Sequence, residues 1–75
     1  MEINRETIKS MIDGKRYVDD LGQVYAVRKN DDDGYWYLGA YVPQGSGSWS
    51  PFGKRITDKV INRMVEYMKM IWNKE

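Results

Sequence analysis

The side chains that most often carry out catalysis are missing from this chain. It contains no histidine and no cysteine, so the commonest general base and the strongest nucleophile are absent. Ser46, Ser48 and Ser50 lie close together, but in a glycine-rich stretch with no evident base to activate them. Zinc sites built on thiolates or imidazoles are excluded for the same reason. The sequence therefore predicts that the protein is not an enzyme and holds no metal or other cofactor.

An acidic run, Asp31-Asp32-Asp33 followed by Gly34, raises the question of a calcium site. An EF-hand loop alternates its ligands and carries a glutamate at its twelfth position. Counted from Asp31, that position is Val42, so the match fails. The run is more typical of a turn, because Asp and Gly favour turns and a charged tip discourages pairing at strand edges. An acidic protrusion that meets a basic partner is the remaining alternative.

The chemistry that remains is recognition by aromatic and basic side chains. Residues 35–42, YWYLGAYV, alternate with period two and are rich in aromatic residues, which is typical of a strand. Tyrosine beside arginine is enriched at interface hot spots, and the same pairing suits base stacking with cation–π support. The predicted partner-binding residues are Tyr35, Tyr37, Tyr41, Arg28 and Arg16, with Trp49 and Phe52 from a flexible loop.

A second candidate surface lies at the start of the predicted last helix. Its four basic residues are Lys54, Arg55, Lys59 and Arg63. Backbone amides at a helix N-terminus favour anions, and basic side chains there would strengthen phosphate binding. These residues form the predicted site if the protein binds nucleic acid instead of another protein. An ordinary solvated helix face is the simpler interpretation.

The order helix–strand–strand–strand–helix, with Lys54 and Arg55 opening the last helix, is similar in outline to the double-stranded-RNA-binding domain. The resemblance implies that Lys54, Arg55 and Lys59 contact phosphates across the groove. The chain departs from that family because Asp20-Leu21-Gly22 lacks its Gly-Pro-x-His pattern, and because the last helix carries Asp58 and lacks a small-residue face. In outline the chain also resembles integrase arm domains, which bind DNA through a three-stranded sheet.

Two helices and three strands are predicted to position these side chains. The boundaries are helix 4–13, strands 15–19, 23–29 and 35–42, loop 43–56 and helix 57–73. Asn4 and Thr57 are the expected N-caps. Ile3 with Ile8, and Ile56 with Ile61, repeat the hydrophobic staple that accompanies such caps. The result is one α+β domain, in which the long amphipathic helix packs across one face of an antiparallel meander.

The pairing register decides which residues face the core, since a slip of one residue inverts a strand. A register that places Val27 beside Leu38 avoids burying the Arg28 guanidinium, which would cost several kcal/mol, roughly. The first hairpin should pair Val18 with Val24 and Tyr17 with Tyr25. One face then carries Tyr17, Tyr25, Val27, Trp36, Leu38, Ala40 and Val42. The opposite face carries Arg16, Val18, Val24, Ala26, Arg28, Tyr35, Tyr37 and Tyr41.

Bulk properties narrow the class of protein without naming a partner. Twelve basic and eleven acidic residues give a net charge of +1, unlike a chain that coats nucleic acid. No apolar run is long enough to span a membrane, and the first residues do not resemble a signal peptide, so a cytoplasmic location is expected. We interpret the chain as a small non-catalytic binding protein, of the inhibitor or adaptor kind that phages and mobile elements encode. Nucleic-acid binding is the alternative, and a homodimer that uses the tyrosine face is a third possibility.

Overall fold

Two helices pack on the same face of a four-stranded antiparallel sheet in the computed structural model, which describes residues 1–72. The elements are α1 (Arg5–Ile12), β1 (Tyr17–Val18), β2 (Val24–Lys29), β3 (Trp36–Tyr41), β4 (Gly47–Gly53) and α2 (Asp58–Ile71). The strand order is β1-β2-β3-β4, so each strand pairs with its neighbours in sequence. The predicted α+β class and the meander are confirmed, but the predicted number of three strands is wrong.

The additional strand, β4, lies inside the stretch predicted as loop 43–56. It pairs antiparallel with β3 from Tyr41 opposite Gly47 to Trp36 opposite Gly53, with an irregularity near Trp36 and Tyr37. Glycine and proline are depleted in strands, and clusters of serine, glycine and proline are typical of loops, which is why the composition indicates a loop. An edge strand tolerates proline, however, because the side of the strand that lacks a partner needs no amide donor. Pro51 occupies such an edge.

The predicted register is confirmed in both hairpins. Val27 lies opposite Leu38, and Tyr17 and Val18 lie opposite Tyr25 and Val24. Val42 is the exception, since its predicted place in the core is wrong. It follows the end of β3 and is 42% exposed, and its carbonyl accepts a hydrogen bond from the Gly45 amide at 3.1 Å. The turn toward β4 begins there, so the alternation of β3 does not extend to this residue.

Each helix begins at its predicted cap. The Asn4 side chain accepts a hydrogen bond from the Thr7 amide, and the Thr7 hydroxyl accepts one from the Asn4 amide, which completes a capping box. Thr57 accepts from the Val60 amide at 3.2 Å. The helices are shorter than predicted by one or two residues at their ends, and Asn73 lies outside the described residues. No helix within residues 1–72 combines the length and apolar character needed to cross a membrane.

The core fills the space between the helices and one face of the sheet. It contains Ile3, Ile8, Met11, Tyr25, Val27, Leu38, Ala40, Phe52, Val60, Ile61, Met64, Val65 and Met68. Tyr25 is fully buried, yet its hydroxyl is satisfied: it donates to the Asp19 carboxylate at 2.6 Å and lies 3.0 Å from the Ile71 carbonyl. Arg5 donates to Asp58 at 2.9 Å and so joins α1 to α2 at the surface. These contacts hold both helices against one side of the sheet.

Candidate partner-binding face

Neither helix covers the second face of the sheet, which we call the outer face. The buried residues of α1 and α2 belong to one core cluster with Tyr25, Val27 and Leu38. Side chains alternate along a strand, so Ala26, Arg28 and their neighbours on β3 and β4 point to the other side. The short first helix therefore leaves the tyrosines uncovered, because it packs on the opposite face.

Four side chains on the outer face form a connected group, which we call the aromatic cluster: Arg28, Tyr37, Tyr41 and Trp49. They come from three adjacent strands, because Arg28 lies opposite Tyr37 across β2 and β3, and β3 pairs with β4. Tyr37, Tyr41 and Trp49 are half-buried and Arg28 is exposed. The sheet therefore provides most of the support for the rings and leaves the charged group accessible.

Arg28 is held against two rings at once. Its guanidinium carbon lies 5.5 Å from the centre of the Tyr41 ring and 5.3 Å from that of Trp49. The two rings themselves are stacked, with centres 5.8 Å apart and planes 22° from parallel. Arg28 also lies within 3.5 Å of the Tyr41 hydroxyl. Cation–π contacts at exposed sites contribute about 0.5–1 kcal/mol each, so this arrangement restrains a side chain that would otherwise be free.

A depression of about 390 Å³ lies beside this stack and is lined by Arg28, Asn30, Tyr37 and Trp49. It combines two aromatic rings with a guanidinium and an amide. Such a mixture can hold an apolar or aromatic side chain from a partner while offering hydrogen bonds at its rim. The depression is therefore a place on the outer face that could receive an inserted group.

Tyr37 is fixed from the other side by the acidic turn. Its hydroxyl donates to the Asp33 carboxylate, which also accepts from the Tyr35 amide at 2.9 Å. These hydrogen bonds lower the pKa of Asp33 below its usual value of 3.8, and the bond from Tyr37 has the largest effect. The same bond raises the pKa of the Tyr37 phenol above its usual value of 10.0. At neutral pH the pair is therefore a neutral donor and a charged acceptor.

The acidic run serves the turn between β2 and β3. The Asn30 side chain accepts from the Asp32 amide at 2.8 Å, and the Gly34 amide donates to the Asn30 carbonyl at 2.8 Å. Asx-type bonds of this kind stabilise turns locally. The interpretation of this run as a turn is confirmed, and Asp33 has the additional task of positioning Tyr37.

The other residues of the predicted partner surface lie outside the aromatic cluster. Phe52 is the clear correction: it is 9% exposed, lies in β4 and packs edge-on against Tyr67 in the core, with ring centres 5.5 Å apart. Tyr35 precedes β3, with the Lys54 ammonium 5.7 Å from its ring. Arg16 is exposed and precedes β1. Trp49 is half-buried and lies on a strand, not in a flexible loop.

Of the basic residues predicted for nucleic acid, Arg55, Lys59 and Arg63 lie on or just before α2, whereas the Lys54 ammonium lies 5.7 Å from the Tyr35 ring. Lys54 and Arg55 are exposed between β4 and α2, and Lys59 lies in the first turn of that helix. Arg63 donates to the Phe52 carbonyl at 3.3 Å, with its guanidinium 5.4 Å from the Phe52 ring. Lys59 and Arg63 line a groove that also contains Glu66, so positive charge there is partly offset.

Sequence reasoning missed the two features that organise this site. One is Gly39, which has no side chain and so allows the Trp49 ring to lie against its backbone. The other is the fourth strand, which brings Trp49 beside Tyr41. A glycine in the middle of an otherwise bulky strand is the signal that could have indicated a close approach. Comparisons with protein-family models, with curated proteins and with solved structures find no match to this chain.

Proposed function

We propose that this chain is a non-catalytic binding protein that occupies a surface of another protein through its aromatic cluster. The observation that carries the proposal is the position of Arg28 over the Tyr41 and Trp49 rings, on a sheet face that neither helix covers. Tyrosine, tryptophan and arginine are the residues most enriched among interface hot spots. An inhibitor or adaptor that works by blocking or bridging would need no more than such a surface.

The cluster is restrained before any partner arrives, which favours binding. Ordering a long side chain at an interface costs about 0.5–1.5 kcal/mol. Arg28 is already stacked, Tyr37 is held by Asp33, and Trp49 rests on Gly39. A partner would therefore meet a surface whose rings need little rearrangement.

The charge distribution favours a protein partner over a nucleic acid. Arg28 is the only basic member of the aromatic cluster, and the Asp33 carboxylate lies at Tyr37 beside it. Nucleic-acid affinity rests mainly on neutralising several phosphates. Most of the residues that could do so lie on or just before α2, where Arg63 is already bonded to the Phe52 carbonyl.

The first experiment is a fluorescence anisotropy titration of labelled single-stranded DNA, duplex DNA and duplex RNA, at low and moderate salt. We expect no binding to any of the three. Micromolar binding that weakens steeply with salt, and is lost in Lys54→Ala/Arg55→Ala, would contradict the proposal and establish the nucleic-acid alternative.

The second experiment identifies the partner by affinity capture with the immobilised protein. Arg28→Ala and Tyr37→Ala should lose the captured protein, and binding of the purified partner should weaken at least about tenfold. Lys9→Ala, an exposed change on α1, is the matched control and should bind as the wild type does. If Arg28→Ala and Lys9→Ala bind equally well, the aromatic cluster is not the binding surface. Self-association lost in Tyr37→Ala would instead assign the cluster to a homodimer.

A further inference from the structure

The two edges of the sheet differ in a way that points to a second interaction surface. On one side the edge strand is β1, which has only the residues Tyr17–Val18. On the other side it is β4, Gly47–Gly53, which pairs with β3 alone among the described residues. A short edge offers little to an incoming strand, whereas a longer unpaired edge is a template for one. β4 contains no charged side chain to discourage such pairing.

The direction of each backbone group on β4 follows from the pairing pattern. The Asn30 amide donates to the Tyr35 carbonyl at 2.9 Å, so these residues are a hydrogen-bonded pair. Bonded and non-bonded pairs alternate along an antiparallel ladder. In the observed register, the bonded pairs between β3 and β4 are then Leu38 with Ser50 and Ala40 with Ser48. The amides and carbonyls of the intervening β4 residues point away from β3, outward from the edge of the sheet.

Those outward groups are complementary to themselves. Gly47 and Trp49 each present an amide and a carbonyl, whereas Pro51 presents a carbonyl only. If a second strand of the same sequence lies antiparallel with Trp49 opposite Trp49, each Trp49 amide meets the Trp49 carbonyl of the other copy. Each Gly47 amide then meets the opposite Pro51 carbonyl. Every outward amide from Gly47 to Pro51 is satisfied, and the missing proline donors leave one Gly47 carbonyl in each copy without a partner.

We propose that two copies of this chain associate through β4 about a two-fold axis at Trp49, which joins the two sheets into one. An extended strand alone is a small interface. The adjoining groove of about 630 Å³ supplies further area through the 78% exposed Met70 and the half-buried Tyr67. The two-fold axis places both grooves on the helix-covered side of the joined sheet, one beside each β4. The dimer uses the outward backbone groups of β4, whereas the proposed function uses side chains of the aromatic cluster; Trp49 belongs to both surfaces.

Sedimentation equilibrium of the full chain from micromolar to millimolar concentration tests this dimer. We expect the wild type to pass from monomer to dimer across that range. A chain of this length is accessible to chemical synthesis, so the Trp49 amide can be N-methylated without altering a side chain. This change blocks an outward donor and leaves the hydrogen bonds to β3 intact, and it should leave the protein monomeric.

The matched control is N-methylation of the Val18 amide. Val18 lies between the bonded pairs of Asp19 with Gln23 and Tyr17 with Tyr25, so its amide points outward from the opposite edge. This variant should dimerise as the wild type does. A wild type that stays monomeric at every concentration, or a Trp49 variant that dimerises unchanged, overturns the proposal. Equal loss in the Val18 variant overturns it as well.

Pro51→Ala provides the opposite test, because it restores the missing donor. The new amide points outward, where the Gly47 carbonyl of the other copy can accept from it. Net gains from hydrogen bonds of this kind correspond to dimerisation that is at least about fivefold tighter. Misfolding cannot imitate this result, so an unchanged or weaker dimerisation constant in a folded variant contradicts the register.

Discussion

The indole ring of Trp49 lies against the backbone of Gly39, its partner across β3 and β4. A Cβ atom built on Gly39 would lie 2.6 Å from Cδ2 and Cε3 of the ring, and 2.5 Å from the Ser48 carbonyl oxygen. No real side chain fits at such distances. The absence of a side chain at position 39 is therefore what allows Trp49 to lie flat on the sheet, where it stacks with Tyr41 and supports Arg28.

Gly39→Ala should displace Trp49 and weaken the sheet. The added methyl group must move both the ring and the β4 backbone, and over-packing of this kind costs about 1–3 kcal/mol. We expect a lower free energy of unfolding in urea and an altered Trp49 indole N–H resonance. A double-mutant cycle with Trp49→Ser is the control, since part of the cost should disappear when the ring is removed. Strict additivity of the two changes would contradict the contact.

Tyr37→Phe should raise the pKa of Asp33. The Tyr37 hydroxyl is the main reason why that pKa lies below 3.8 in the folded protein, and phenylalanine cannot donate the hydrogen bond. The measurement is a carboxyl carbon NMR titration of Asp33 in both proteins. An unchanged Asp33 midpoint would show that the bond does not persist in solution.

The same pair should make stability depend on pH at two extremes. Asp33 has a depressed pKa when folded, so its contribution is present above 3.8 and is lost as pH falls through the lower folded value. Tyr37 has a raised pKa when folded, so its contribution is present below 10.0 and is lost as pH rises through the higher folded value. Thermal unfolding midpoints of the wild type should fall more steeply than those of Tyr37→Phe in both windows. Equal slopes of the unfolding midpoint against pH for the two proteins would contradict this prediction.

Tyr25→Phe should clearly lower the free energy of unfolding, although it removes only one hydroxyl group. The substitution keeps the ring but removes the donor that reaches the buried Asp19 carboxylate, and loss of such a bond costs about 1–3 kcal/mol. Tyr17→Phe is the matched control, because its hydroxyl meets Ser10 in a partly buried setting. We expect a clearly smaller change in urea unfolding for the control. Equal losses of stability in the two variants would indicate that burial of the hydrogen bond from Tyr25 to Asp19 adds nothing to its contribution.

Asn4→Ala should destabilise the protein by about 1 kcal/mol, since it removes the acceptor for the Thr7 amide at the start of α1. Asn4→Ser retains a capping oxygen and should recover most of the loss. Urea denaturation of the three proteins measures both effects. An alanine variant as stable as the serine variant would show that the cap is dispensable.

Much of this fold could be predicted because local signals agreed with one another. Asn4 and Thr57 are good caps in front of amphipathic runs, and both begin helices as expected. The register followed from one energetic comparison, that Val27 should be buried and Arg28 should not, and it places Tyr37 and Tyr41 on the outer face. Those side chains are the part of the candidate site that the sequence revealed.

The rest depended on contacts that composition does not encode. The stretch around Pro51 has the residues of a loop, and it is a strand only because β3 provides a pairing edge and nothing is required on the other side. Trp49 and Phe52 looked equivalent from sequence, yet one lies on the outer face and the other in the core. Alternation along an unrecognised strand separates them, so the error in the strand count led directly to the error at Phe52.

The order of strands in this sheet also bears on how the chain acquires its structure. Every strand pairs with its neighbour in sequence, so the meander can form by successive short hairpin closures, a topology associated with fast folding. The contact between the two helices is not local in this sense, because α1 precedes the meander in sequence and α2 follows it. During synthesis, the part of the apolar face that α2 covers stays exposed until residues 58–71 have been made. Chaperone engagement and premature aggregation should therefore concentrate in that interval, after β4 is complete and before α2 has docked.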